Sequence, residues 1–169
     1  MCNSIKGTVM KKFFLPIAML VMAALAFGQD SAQPPKDLSG FSGYAWGASH
    51  SFVRQDMEKE GYDLVENGPN DLWYLGEILG GKVKIVYIFD DKLLTSGIWI
   101  LDDIDQASFW EVNSFLRKTY NAKAKLKVRG NHLMESELMP AGTDARIIHR
   151  LDVVANRHEV HYYYDTGEE

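Results

Sequence analysis

The amino-acid sequence predicts an α+β fold made of two helix-plus-antiparallel-strand repeats, with the helices packed on one face of an antiparallel sheet. Three observations predict it. Residues 72–101, LWYLGEILGGKVKIVYIFDDKLLTSGIWIL, hold three runs rich in β-branched and aromatic residues, broken by turn signals at Gly80-Gly81 and Asp90-Asp91-Lys92. Two stretches of helical periodicity, at 50–60 and 105–119, each precede a set of such runs. The order α-β-β-β is met at 40–101 and again at 102–165, a pattern of helices set against an antiparallel sheet.

The chain opens on a targeting pattern. Lys11 and Lys12 precede an apolar run, FFLPIAMLVMAALAF (13–27), and small residues follow at Ala24, Ala26 and Gly28. We read 1–28 as a signal peptide, since the run is short for a bilayer span of about 20 apolar residues. Met10 starts a better-proportioned signal than Met1. Removing Lys6, Lys11 and Lys12 from a chain with 18 basic and 23 acidic residues takes the net charge from −5 to about −8. A negative domain argues against nucleic acid, whose phosphates demand a basic footprint. The sole cysteine, Cys2, lies ahead of the apolar run. The mature chain is thus expected to have neither a disulfide nor a cysteine metal site nor a lipid anchor of the lipoprotein kind, and to be periplasmic or secreted with no membrane span.

Residues 29–39, QDSAQPPKDLS, read as a flexible linker, and 40–169 as one α+β domain. GFSGYAWGAS leads into the first helix. Ser49 is its expected N-cap, Phe52, Val53 and Met57 its buried stripe, and Gly61 its C′ residue with Tyr62 behind it. YDLVE (62–66) reads as a strand and NGPND (67–71) as a loop.

In the meander, a Gly80-Gly81 loop sets Ile78 opposite Val83, Glu77 opposite Lys84 and Tyr74 opposite Tyr87. One face then carries Leu72, Tyr74, Gly76, Ile78, Val83, Ile85, Tyr87 and Phe89, with no charge, and should be core. The third strand has two readings. An Asp91-Lys92 loop puts Leu94, Ser96, Ile98 and Ile100 on the core face, and a three-residue loop over 90–92 puts Leu93, Thr95, Gly97, Trp99 and Leu101 there. The first leaves a more aliphatic strip and is preferred.

The second helix is expected over 105–119, capped by Asp103 or Asp105, with Phe109, Val112 and Leu116 inward and Phe115 beside them. In 122–130 Lys123, Lys125, Lys127 and Arg129 alternate with Ala124, Leu126 and Val128, which predicts a half-buried strand. Residues 132–139 read as another strand. Residues 144–165 read as a hairpin about Asn156-Arg157, pairing Val153 with Val160, Leu151 with Tyr162, and Asp152 with His161.

The run Gly43-Tyr44-Ala45-Trp46-Gly47-Ala48-Ser49, followed by Val53 and Gly61-Tyr62, resembles a type of largely uncharacterised exported bacterial protein. In those chains an aromatic-x-Trp-Gly-x-Ser/Thr stretch opens a helix and a Tyr-rich β-meander follows. The helix-then-sheet repeat is similar to the small lipoproteins of the outer-membrane β-barrel assembly machinery, and to the tandem-repeat β-lactamase inhibitor protein. The likeness covers the architecture of most of the mature chain and carries over no functional residue. This chain lacks the lipidated cysteine of the first and the disulfides of the second. In this reading Trp46 anchors the helix entry and Gly47 allows the turn.

Chemistry-bearing motifs are sparse. His158-Glu-Val-His161 has a metal-like composition, but an offset of three in a strand sends the two imidazoles to opposite faces. His161 opposite Asp152 would be an oriented His–carboxylate pair. There is no Gly-x-Ser-x-Gly elbow, no phosphate-cradling loop and no His-Glu-x-x-His. The expectation is therefore a non-enzyme with no cofactor, no metal and no catalytic residue. The second face of the meander is too apolar for ordinary exposure: Trp73, Leu75, Val86, Ile88 and Trp99 sit among Glu77, Lys82 and Lys84. Either another element covers this face or it binds a protein or glycan partner in the cell envelope. The leading reading is an exported binding protein that uses this sheet face. The alternatives are a secreted inhibitor of a foreign enzyme and a small envelope hydrolase.

Overall fold

The computed structural model describes residues 38–164. The expected signal segment, most of the expected linker and the C-terminal tail lie outside them. In chain order the elements are β1 (Gly40–Phe41), β2 (Tyr44–Ala45), α1 (His50–Lys59), β3 (Leu64–Asn67), β4 (Asp71–Ile78), β5 (Gly81–Asp90), β6 (Leu93–Leu101), α2 (Gln106–Tyr120), β7 (Lys123–Arg129), β8 (Leu133–Met139), β9 (Arg146–Asp152) and β10 (Arg157–Tyr163). The fold is α+β and mostly strand. β1 and β2 pair alone, and the other strands form an 8-stranded antiparallel sheet in the order β3-β4-β5-β6-β10-β9-β8-β7.

Both helices start and stop where side-chain chemistry dictates. The Ser49 hydroxyl accepts from the Phe52 amide, and the Asp105 carboxylate accepts from the Ser108 amide at 2.8 Å. Gly61, at φ 80°, closes α1: its amide donates to the Glu58 carbonyl and the Tyr62 amide to the Met57 carbonyl, the paired bonds of a Schellman stop. Val53 and Met57 are buried, but Phe52 is 56% exposed, because it sits one residue off their line around the helix. It meets Tyr44 edge-on instead. α2 ends on Asn121 in the left-handed region.

The core cluster gathers Val53 and Met57 of α1 and Val112 and Leu116 of α2 with Leu72, Tyr74, Val83, Ile85, Tyr87 and Phe89 of the meander. Phe41 packs within it. Gly97 lies directly beneath the Phe41 ring, and a Cβ there would overlap the ring. Leu38, inside the segment expected as linker, is also core, and its carbonyl accepts from the Trp46 indole at 2.9 Å. Gly47 has φ 80° and donates its amide to the Leu94 carbonyl, so the Trp-Gly turn ties the entry of α1 to β6.

The pairing registers differ from those expected, in an informative way. The β4–β5 loop is Leu79-Gly80, with Ile78 opposite Gly81, Glu77 opposite Lys82 and Tyr74 opposite Ile85. This is a two-residue slip from the expected register. It removes the Glu77–Lys84 pair but leaves every side chain on its expected face, because strand sidedness has period two. The β5–β6 hairpin follows both sequence readings in turn. Asp90 pairs Leu93 and Phe89 pairs Leu94, as the two-residue loop requires. A register shift after Ile88 then pairs Tyr87 with Gly97 and Ile85 with Trp99. Thr95 is the extra residue of this bulge, and beyond it the strand's sidedness inverts. Gly97, Trp99 and Leu101 therefore face the core, and Ile98 and Ile100 face away from it.

The last hairpin slips by four residues. Its loop spans 153–156, and Asp152 pairs with Arg157, Leu151 with His158 and Ile148 with His161. β7 is an outer strand of the sheet and is exposed on both faces, not half-buried: Leu126 and Val128 are exposed along with the basic residues of the strand. Edge lysines of this kind discourage pairing with another chain.

Candidate functional site

The face of the sheet that carries Trp73 can be read in rows, because the strands run in register. One row passes Trp73, Val86, Ile98, His161, Ile148, Glu137 and Lys125. The next passes Leu75, Lys84, Ile100, Glu159, Arg150, Glu135 and Lys127. A third brings Asp71, Ile88, Ser96, Tyr163 and Arg146 together. The β4–β6 side of this face is apolar and the β7–β9 side is charged.

Four of the residues singled out from the sequence meet here. Leu75 is 47% exposed, Trp73 and Ile88 are half-buried, and Val86 is 2% exposed, enclosed among its row neighbours. The Trp73 indole donates to the Asp71 carboxylate at 2.9 Å, which holds the ring against the sheet. Trp99 does not join them. It is 8% exposed on the opposite face, donates its indole N–H to the Ser42 hydroxyl at 3.0 Å and packs edge-on against Tyr162. The Thr95 bulge is the physical reason. The same inversion delivers Ile98 and Ile100, which sequence reasoning had assigned to the core. Their signal was the second reading of the 90–92 turn, since each reading is right for one half of β6.

The charged side is a ladder. Glu135 accepts from Lys127 at 3.3 Å and from Arg150 Nε at 3.0 Å. The Arg150 hydrogen bond, aided by Lys127, holds the Glu135 carboxyl below its usual range. His161 bonds Glu159 at 3.0 Å and Tyr163 at 3.2 Å, and faces Ile148 across the strand pair. The His161–Asp152 pair expected from the sequence does not form, since Asp152 instead accepts from the Ala155 amide in the turn.

Two other histidines form a feature that sequence reasoning missed. His149 and His158 are fully buried, with their Nε2 atoms 2.8 Å apart. His158 Nδ1–H donates to the Asp103 carbonyl at 2.5 Å, so its Nε2 is the acceptor and His149 Nε2–H the donor. The Phe109 ring stacks on His149 at 4.2 Å. Burial, then the neighbouring His158, pulls His149 down to about 3, and burial lowers His158 against the opposing pull of Asp103 and Asp105. Both rings are neutral at ordinary pH. His149 Nδ1 and the Ser136 hydroxyl, on paired residues of β8 and β9, are buried and have no hydrogen-bond partner among the described residues. Substrate has no access to either imidazole, so this pair is a structural device and not an accessible base.

A cavity of about 360 Å³ lies where the β1–β2 hairpin meets the end of α1 and the core face of the sheet. Tyr44, Tyr62, Tyr87 and Trp99 line it, together with Asp56 and Glu60. The Tyr44 hydroxyl donates to Asp56 at 3.0 Å, and burial together with that carboxylate raises the phenol well above its usual range. Among the described residues no group of three or more His, Cys, Asp or Glu is placed to hold a metal ion, and no helix is long and apolar enough to cross a membrane. No protein-family model, curated protein or solved structure matches the chain.

Proposed function

We propose that this is an exported, non-enzymatic protein that binds a protein partner in the cell envelope through the open sheet face. The observation that carries the reading is the apolar side of that face. Trp73, Leu75, Ile88, Ile98 and Ile100 line adjacent positions of three neighbouring strands, and none of them is fully buried. Val86 fills the middle. An aromatic and several aliphatic side chains, bordered by charged rows, form the core-and-rim arrangement of a protein interface. A soluble monomer seldom leaves a contiguous patch of this kind open without use.

The finer architecture fits the same reading. The elements run α1-β3-β4-β5-β6 and then α2-β7-β8-β9-β10, and the sheet order meets at β6–β10 as it would for two copies of one unit. We read the chain as two such repeats, with both helices over the face that holds Tyr74, Tyr87 and Trp99. On that reading neither helix lies over the other face. The basic, apolar and small-residue run over 11–28 supports export.

The test is site-specific photo-crosslinking in cells at Leu75 and Ile98, with Glu58 on α1 as the control position. A discrete adduct at the two sheet positions and none at Glu58 is expected. The identified partner, purified, should lose about tenfold or more in affinity to the Ile98→Asp variant, as for a residue at an interface centre. Equal adducts at all three positions, or unchanged affinity with a folded variant, would refute the reading.

A further inference from the structure

We infer that the cavity beside the β1–β2 hairpin is a binding site for an organic cation, an ammonium or guanidinium group carried on an apolar body. The inference is independent of the sheet face, which lies on the opposite side of β5 and β6. Its first support is charge. Asp56 and Glu60 line the cavity, and among the described residues no lysine, arginine or histidine does. Neither carboxylate is in an ion pair among the described residues. Asp56 is held toward the hairpin by the Tyr44 hydroxyl.

The second support is the wall. Four aromatic residues, Tyr44, Tyr62, Tyr87 and Trp99, line the same space. The Trp99 and Tyr87 rings are fixed by hydrogen bonds to Ser42, through its hydroxyl and its carbonyl respectively. Tyr62 is half-exposed at the mouth. Ring faces attract cations through their quadrupole, and do so more strongly where water is partly excluded. The third support is the helix end. Met57 and Glu60, at the last turn of α1 and its cap, border the cavity, so its helix dipole presents its negative pole there. Aromatic walls, carboxylates and a helix C-terminus all favour a cation and disfavour an anion. The volume of about 360 Å³ falls at the small end of the range for ligand sites.

The group has two sources of the same chemistry, a free small amine or a basic side chain of a peptide. Titrations followed by amide and indole NMR signals separate them. The purified protein is titrated with benzyltrimethylammonium, with a capped Gly-Arg-Gly peptide, with neutral benzyl alcohol and with benzoate. Saturable shifts of the Ser42, Gly43 and Trp99 indole signals are expected with one or both cations below about 20 mM, weakening with added salt. The tighter of the two names the source. Glu60→Gln should weaken the cation by about threefold while leaving the rest of the spectrum in place. Absence of shifts with both cations overturns the inference. So does an equal response to benzyl alcohol or benzoate, which would mark the cavity as merely apolar.

Discussion

Replacing His149 by phenylalanine should remove a defined part of the protein's sensitivity to mild acid. In the folded chain His149 is buried, stacked on Phe109, and held to a proton affinity of about 3 by desolvation and by His158. Unfolded, it titrates near the usual value of about 6.5. Between these values the unfolded chain binds a proton that the native chain refuses, so stability must rise with pH in that window and fall as pH drops. Above the upper value both states are neutral and the term vanishes. The slope is about 1.4 kcal/mol per pH unit, so lowering the pH from about 7 to about 5 costs about 2 kcal/mol through His149 alone. That is a large part of the net stability of a small domain, typically about 5–15 kcal/mol. His158, also lowered by burial, adds in the same direction. Asp103 and Asp105 are the charged groups facing the pair, and both favour its protonation. The assay is urea unfolding at several pH values in this interval, above the range where ordinary carboxylates titrate. The wild-type midpoint should fall by about 1 M across it, and that of His149→Phe by visibly less. If the wild-type midpoint is flat, or if His149→Phe keeps the full slope, the neutral buried pair is not what the chain contains in solution.

Other substitutions probe the packing and the two faces. Gly97→Ala should cost about 1–3 kcal/mol, since the new Cβ meets the Phe41 ring, and the thermal midpoint should recover in part when Phe41→Leu is added. Trp99→Ala should destabilise by about 3–5 kcal/mol because the ring is core, whereas Leu75→Gln on the open face should stay within about 0.5 kcal/mol. Asp105→Ala should cost about 1 kcal/mol by leaving the Ser108 amide without its cap, measurable by chemical denaturation.

Much of the fold was legible because its signals are local. Ser49, Gly61 and Asp105 act at helix ends through atoms a few residues away; the sequence names the first two directly and narrows the third to Asp103 or Asp105. What was not legible depends on distance in the chain. Nothing in residues 90–101 announces that Thr95 bulges; the bulge lets Trp99 reach Ser42, 57 positions earlier, and lets Gly97 receive Phe41. The pairing of His149 with His158 needs the β9–β10 register, and their burial needs Phe109 from another element. The exposure of β7 follows from its place at the sheet edge, which the alternation within 123–129 does not encode.

These outcomes separate into two kinds by one physical rule. The β4–β5 hairpin slipped by two residues and the β9–β10 hairpin by four, and both slips are even. An even slip keeps each side chain on its face and changes only its partner. Face assignments within these two hairpins therefore held, including the core side of Tyr74, Ile85 and Tyr87 and the shared opposite side of Trp73, Leu75 and Ile88. Claims about partners did not, and Glu77–Lys84 and His161–Asp152 were both lost. Trp99 is the case that fits neither slip, because a bulge is an odd insertion and inverts everything beyond it. A binding surface requires only that its residues share a face, whereas a catalytic dyad requires a particular partner. The even slips therefore leave Trp73, Leu75 and Ile88 together on one face while they separate His161 from Asp152.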